Sequence, residues 1–364
     1  MSTPAPGSDV NVHIMSLSEF GVLPDGRPVR RIVLGESPGP VLTLLDLGAT
    51  VHGLEVGCGD GRRRNVVLGQ PTPADYLDST DYLGGTIGRY ANRIAGGRFE
   101  LEGRPVQVGT HDRGNHLHGG PDGFDRRLWR LEDHTETQAC LVLESPDGDQ
   151  GFPGAVRVEV RFEVSDDRVR VDFAATTDAT TVCNLTSHAY FNLDGVGRGT
   201  VDDHDLTVAA DAYTPVDPSG IPLGDHAPVA GTPFDFRVAA PIGPAVRAPD
   251  EQVSAARGID HNYVLRGSGM RPVATLSSRR TRTTLEVHSD QPGLQVYTGN
   301  FLDGTRPSAV GGRYRQGDGI ALEPQRFPDT PNRPDFGSAA LRPGETYRAA
   351  LEWRFGRLEG ASTE

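Results

Sequence analysis

The sequence predicts an all-β fold, a large antiparallel β-sandwich, on three observations. Apolar and polar residues alternate over long stretches, glycine and proline punctuate the whole length, and helix signals are few. The alternation is clearest from Val156 to Val164, where Val156, Val158, Val160, Phe162 and Val164 fall at every second position. It resumes from Val169 to Phe173, with Asp166-Asp167 between the two runs as a turn. A period of two places alternate side chains on opposite faces of a strand, so the pair reads as an antiparallel hairpin with one wet face.

Further strands are expected at Arg30 to Leu34, Val41 to Leu45, Arg98 to Leu101, Leu141 to Glu144, Leu285 to His288, Leu294 to Tyr297 and Tyr347 to Phe355. The 46 glycines and 28 prolines are scattered, which marks turns rather than one linker. Thr72-Pro73-Ala74-Asp75 offers an N-cap followed by proline at the first helical position, so one short helix is expected near Tyr76. The stretch from Pro215 to Asp250 reads as a long surface excursion of the kind that shapes binding sites. No repeat or low-complexity block appears, and residues 1–364 are expected to form one domain. Loose tails are expected at 1–12 and 357–364.

Composition narrows the function. With 364 residues the chain can bury a large core. No apolar run is long enough to span a membrane, and Met1 to Asn11 lacks the pattern of a signal peptide, so a cytoplasmic location is the expectation. A net charge of −13 opposes nucleic acid and anionic membranes. The chain has no lysine, which excludes Schiff-base and phosphate-loop lysines and leaves arginine to do lysine's surface work. Arg62-Arg63-Arg64 accordingly reads as a solvated turn. Cys58, Cys140 and Cys183 are too few and too far apart for a disulfide framework or a zinc knuckle, and read as idle thiols.

Six segments carry residues with chemistry. Gly88 to Ile94 holds Arg89, Asn92 and Arg93, which can donate to sugar hydroxyls or carboxylates. Asn115 to Gly120 places His116 and His118 two apart, on one face if the segment is a strand; a metal would need a third ligand that the neighbourhood lacks. Asn184 to Leu193 sets His188 among apolar, hydroxyl and amide groups, as a buried network or a site. Ile259 to Tyr263 contains Asp260 in what reads as a turn or as a carboxylate that fixes a hydroxyl. Gly293 to Asn300 presents Gln295 opposite Leu294 and Val296. In Ile320 to Asp329, Glu323 ends an apolar run before Pro324. The proline places it at a strand end or edge, where desolvation would raise its pKa toward that of a general base.

In this order the segments closely resemble the aldose 1-epimerase (galactose mutarotase) family. The resemblance rests on Gly-Arg-Tyr-Ala-Asn-Arg-Ile at 88–94, His-Gly-Gly at 118–120 with Gly123-Phe124-Asp125 and Trp129, and Asn-Leu-Thr-Ser-His-Ala-Tyr-Phe-Asn-Leu at 184–193. It extends to Asp211 to Asp217, Asp-His-Asn-Tyr at 260–263, Gln-Val-Tyr-Thr-Gly-Asn at 295–300, and Glu323 with Phe327-Pro328-Asp329 and Asn332. It covers about residues 35 to 355 and is weakest from Gly267 to Thr284. The resemblance implies a β-supersandwich that interconverts the anomers of a free aldose without metal or other cofactor, as a monomer or homodimer. It implies His188 as general acid, Glu323 as general base, His118 as a second active-site histidine, and Asn92, Arg93, Asp260 and Gln295 as holders of sugar hydroxyls. Three rival readings stay open: a hexose-6-phosphate mutarotase using Arg89, Arg93 and Arg326, a non-catalytic sugar-binding module, and a glycosidase with Asp260 and Glu323 as its carboxylates.

Overall fold

The computed structural model describes residues 16–358. The leader expected at 1–12 and the tail from 359 onward lie outside them. Arg357, expected in that tail, instead ends the last strand, Tyr347–Arg357.

Three antiparallel sheets dominate. A five-stranded meander runs Leu17–Val22, Pro28–Leu34, Val41–Leu45, Thr50–Gly57 and Arg63–Asn65. Arg63 is therefore in an edge strand, not a turn, and its guanidinium donates to the carbonyls of Pro38 and Gly39 at 2.8 Å each. A nine-stranded sheet contains the hairpin Val156–Ser165 and Arg168–Thr177, then Tyr347–Arg357, Thr283–Ser289 and Arg271–Ser278. Ser165 pairs Arg168 across the Asp166-Asp167 turn, and Val156–Ser165 buries alternate residues along its whole length. A six-stranded sheet is ordered Tyr190–Phe191, Ile320–Gln325, Gly293–Tyr297, Asp260–Leu265, Ala210–Tyr213 and Ala227–Pro228. Apolar side chains from all three sheets, among them Ile32, Leu54, Val160, Phe162, Leu285, Val296 and Leu322, meet in one core. That shared burial is what makes the layers a sandwich.

The helix near Tyr76 is Pro73–Asp78, with Thr72 Oγ1 accepting the Asp75 N–H as N-cap. The excursion from 215 to 250 is not purely superficial. It contains the short helix Ile242–Val246, and Val229, Phe234, Phe236 and Ile242 reach the main core, which anchors it. Cys58, Cys140 and Cys183 are all buried free thiols. Among the described residues no helix is long and apolar enough to cross a membrane.

Candidate active site

The six-stranded sheet builds the floor of the site by register. Gln295 lies opposite Glu323 on one side and Asn262 on the other, so these three directly paired side chains line up on one face. Leu294, Val296 and Leu322 go to the core on the opposite face. The Asp260 segment is thus a strand, Asp260–Leu265, rather than a turn. Glu323 is likewise not at a strand end or edge. It sits inside Ile320–Gln325, in the second position of the sheet. Pro324 is tolerated there because the neighbouring Tyr190–Phe191 pairs only Ala321 and Ile320. At Pro324 the ladder runs on one side alone, and its carbonyl accepts the Thr186 hydroxyl at 2.8 Å.

The other segments are drawn over this floor by backbone bonds that explain several motif residues. Asn184 bridges two of them: its Nδ2 donates to Ala91 O at 3.0 Å and its Oδ1 accepts Arg326 N–H at 3.0 Å. Asp329 holds the start of the 95–97 turn through Ala95 N–H at 2.9 Å, and its own N–H donates to Arg93 O. These residues position the site without entering it.

The result is a pocket of about 490 Å³ lined by all seven residues singled out from the sequence: His188, Glu323, His118, Asn92, Arg93, Asp260 and Gln295. His188 Nε2 stands 3.6 Å from Glu323 Oε1, and both side chains are almost wholly buried. Gln295 Nε2 donates to Asp260 Oδ1 at 2.6 Å, which fixes the carboxylate toward the pocket. Arg93 Nε donates to Asp112 Oδ2 at 2.8 Å. Gly220, at φ +88°, lies so close to the Arg93 guanidinium that a Cβ would meet it at 2.8 Å, so the excursion packs against Arg93, although none of its residues lines the pocket. Asn92, at φ +66°, passes its N–H to Nδ1 of His118 at 3.1 Å, while its Oδ1 accepts Arg93 N–H.

His116 and His118 do not share a face. The strand is only His116–Leu117, and His118 turns off it at φ +52°. His116 Nδ1 bonds Gly109 O at 2.9 Å and its ring packs edge-on to Phe152, outside the pocket. The fold instead gathers one donor atom each from His118, His188 and Glu323 within 4.8 Å of one another. These are residue types that ligate metals, but His118 Nδ1 is an acceptor for Asn92. Its neutral ring therefore carries hydrogen on Nε2 and has no lone pair for a cation while that bond holds.

Electrostatics are set by burial. Desolvation pushes His188 down to about 4, opposed by its own backbone bond and by Asp260. It pushes Glu323 well above the usual carboxylate range, reinforced by Asp260 and opposed by Arg93. His118 is driven well below its ordinary value by burial first and by His188 second. Both shifts favour the uncharged forms, a neutral imidazole on His188 and a protonated carboxyl on Glu323, because two buried charges cost more than two buried neutral groups.

The arginines proposed for a phosphate do not converge. Arg89 is only 2% exposed, and its guanidinium bonds the carbonyls of Pro153 and Gly154 at 2.9 and 2.7 Å and Ser145 Oγ at 2.5 Å. Neither Arg89 nor Arg326 lines the pocket, and Arg93 is already paired. Tyr82, Tyr190 and Tyr297 line it as well. The last two lie within segments that carry the resemblance; Tyr82 had no sequence signal.

The chain's residues 30–354 match the family model described as aldose 1-epimerase. It is 41% identical to the aldose 1-epimerase of Escherichia coli over 337 residues, covering 91% of this chain and 96% of that one. It is 38% identical to the galactose mutarotase of Mus musculus, covering 92% and 97%. Its fold superposes on an aldose epimerase homologue from C. elegans with a TM-score of 0.84 at 28% identity, covering 90% and 99% of the two chains.

Proposed function

Because the chain belongs to the aldose 1-epimerase family, and is therefore an isomerase that interconverts sugar anomers, we propose that it acts on free aldohexoses such as glucose and galactose with His188 as acid and Glu323 as base. The observation that carries this reading is the buried pair itself, His188 Nε2 at 3.6 Å from Glu323 Oε1, among side chains suited to sugar hydroxyls.

Mutarotation needs one transferable proton at each end of a hemiacetal carbon. With Glu323 as carboxylate and His188 as imidazolium, Glu323 takes the proton of the C1 hydroxyl while Nε2 of His188 gives one to the ring oxygen. The C1–O5 bond breaks and an aldehyde forms. Rotation about C1–C2 presents the other carbonyl face. His188 then takes the C5 hydroxyl's proton as that oxygen attacks, Glu323 returns its proton to the new C1 oxygen, and both groups end as they began. The reactive ion pair and the resting neutral pair hold the same number of protons, so a transfer of one proton from Glu323 to His188 connects them. A sugar hydroxyl donating to Glu323 favours that transfer, since it stabilises the carboxylate. Arg93 favours it as well, since its positive charge supports the Glu323 carboxylate, whereas Asp260 supports the His188 imidazolium but also holds the proton on Glu323. Asn92, Arg93 and the Gln295–Asp260 pair hold the remaining hydroxyls, and His118 donates from Nε2.

Polarimetry tests the assignment. Freshly dissolved α-D-glucose and α-D-galactose mutarotate faster with the protein than without it. Glu323→Gln or His188→Asn removes about 10²–10⁴-fold of the acceleration while the circular dichroism spectrum is kept. Two variants of near full activity would refute the roles. Glucose 6-phosphate is turned over more slowly than glucose, since the three arginines that line the pocket are already engaged, Arg93 and Arg113 with Asp112 and Arg306 with Asp81.

A further inference from the structure

We propose that Tyr82 is a sugar-contacting and positioning residue: its hydroxyl binds the substrate and its ring fixes the two active-site histidines. The inference rests on the proposed roles of His188 and Glu323. Tyr82 stands edge-on to His118, with ring centroids 4.7 Å apart, and tilted against His188 at 5.7 Å. His118 and His188 are themselves 5.3 Å apart, so the three rings close a triangle. Rings in such contact limit one another's rotation, and misplacing an acid by even an ångström is expensive.

Three tyrosines surround His188, and two have committed hydroxyls. Tyr190 donates to Asp81 O at 2.8 Å, and Tyr297 accepts the Phe301 N–H at 3.0 Å. The Tyr82 hydroxyl makes no hydrogen bond to any described residue, yet the side chain lines the pocket. Burial raises its phenol above the ordinary value, so it serves as a neutral hydroxyl.

The backbone points the same way. Tyr82 is held at φ +55°, a left-handed conformation that is strained for an aromatic residue. Of eleven such non-glycine residues among those described, Tyr82, Asn92, Arg113 and His118 all line this one pocket. The strain is kept by bonds to His188. Gly85 N–H donates to Tyr82 O at 3.0 Å, His188 N–H donates to Gly85 O at 2.9 Å, and Gly84 N–H donates to His188 O at 3.0 Å. One turn thus carries the Tyr82 ring and grips the backbone of the acid.

Tyr82→Phe removes only the hydroxyl, and Tyr82→Leu removes the ring as well. Steady-state mutarotation kinetics of Tyr82→Phe show KM raised roughly fivefold to tenfold, kcat within about twofold, and an unchanged melting temperature, since the lost hydroxyl had no protein partner. Tyr82→Leu lowers kcat roughly tenfold or more, and the Phe variant restores it. An unchanged KM in Tyr82→Phe overturns the sugar contact. A kcat in Tyr82→Leu equal to that of Tyr82→Phe overturns the positioning role. If Tyr82→Leu does not fold, Tyr82→Met takes its place in the kcat comparison, and the Phe variant still decides the sugar contact. The KM arm is independent of which group moves the proton, so an active Glu323→Gln enzyme would overturn the acid–base reading and leave this one decidable.

Discussion

Nδ1 of His118 accepts the backbone N–H of Asn92 at 3.1 Å, and this single bond fixes what the histidine can do. An acceptor at Nδ1 requires hydrogen at Nε2 in the neutral ring, and burial keeps the ring neutral. On the proposed reading His118 acts as a hydrogen-bond donor to the sugar rather than as a proton carrier. Replacing it with Ala lowers kcat/KM by about 10²–10³-fold, the scale for one donor aimed at developing charge. Replacing it with Gln, whose amide can reach the Nε2 position, costs less than Asn, whose amide cannot. Both limbs of the pH profile stay where they were, because His118 does not titrate within the working range. A shifted limb in His118→Gln would show that it does carry protons.

The pH profile itself follows from the pair. In the proposed mechanism the active form holds one proton between His188 and Glu323. As pH falls through about 4, His188 protonates as well, Glu323 cannot take the C1 proton, and kcat/KM falls. As pH rises, the last proton is lost only above the raised value of Glu323, so the alkaline limb lies well beyond an ordinary carboxylate. The expected profile is a broad plateau across neutral pH rather than a narrow bell. Titration of the polarimetric rate from pH 3.5 to 9 checks it. An acid limb near 6.5, the ordinary histidine value, would mean that His188 is not desolvated in the working enzyme.

What could be read from the sequence follows from what leaves a periodic trace. The Val156–Ser165 strand buries every second residue, so alternation revealed it, and Gln295 was correctly aimed because Leu294 and Val296 both needed the core. The segments that converge on the pocket were found by their resemblance to a family, which supplied roles that no local pattern held. Glu323 was misplaced at an edge because proline's missing N–H is a local rule, and the sheet satisfies it by leaving one flank of Pro324 unpaired. His118 was wrongly given His116's face because its positive φ is imposed by contacts with Asn92. Tyr82 left no trace: its conformation belongs to a turn whose bonds reach His188, more than a hundred residues away.

Asp125 gives a stability prediction of defined sign. Although the residue as a whole is part-exposed, its Oδ1 is sealed from solvent without a partner, and burial pushes its carboxyl up to about 7 from an ordinary 3.8. Between those values the folded state binds more protons than the unfolded state, so stability present at low pH is lost as pH rises through about 7. Asn cannot ionise. Relative to the parent, Asp125→Asn therefore gains about 1–3 kcal/mol between pH 5 and pH 8, whatever its absolute stability. Urea unfolding at both pH values measures the change, and an equal difference at both would show that the carboxyl does not titrate in this range.

Arg89 separates a structural arginine from a binding one. Its guanidinium is spent on the carbonyls of Ser145, Pro146, Pro153 and Gly154 and on Ser145 Oγ, which ties the 145–154 loop to the segment bearing Asn92 and Arg93. A planar fork reaches several acceptors at once, and a lysine ammonium cannot. Arg89→Met and Arg89→Lys each strand buried carbonyls, so both lower unfolding free energy by about 3 kcal/mol, with Met at least as damaging. Activity per folded molecule stays within about threefold, because the side chain never reaches the pocket and the Asp329 and Asn184 bonds still hold Asn92 and Arg93 near their places. A sugar-binding or phosphate-binding arginine would give the reverse pattern, with KM raised and stability kept. Urea unfolding beside kinetics on the same Arg89→Lys preparation therefore decides between the two roles.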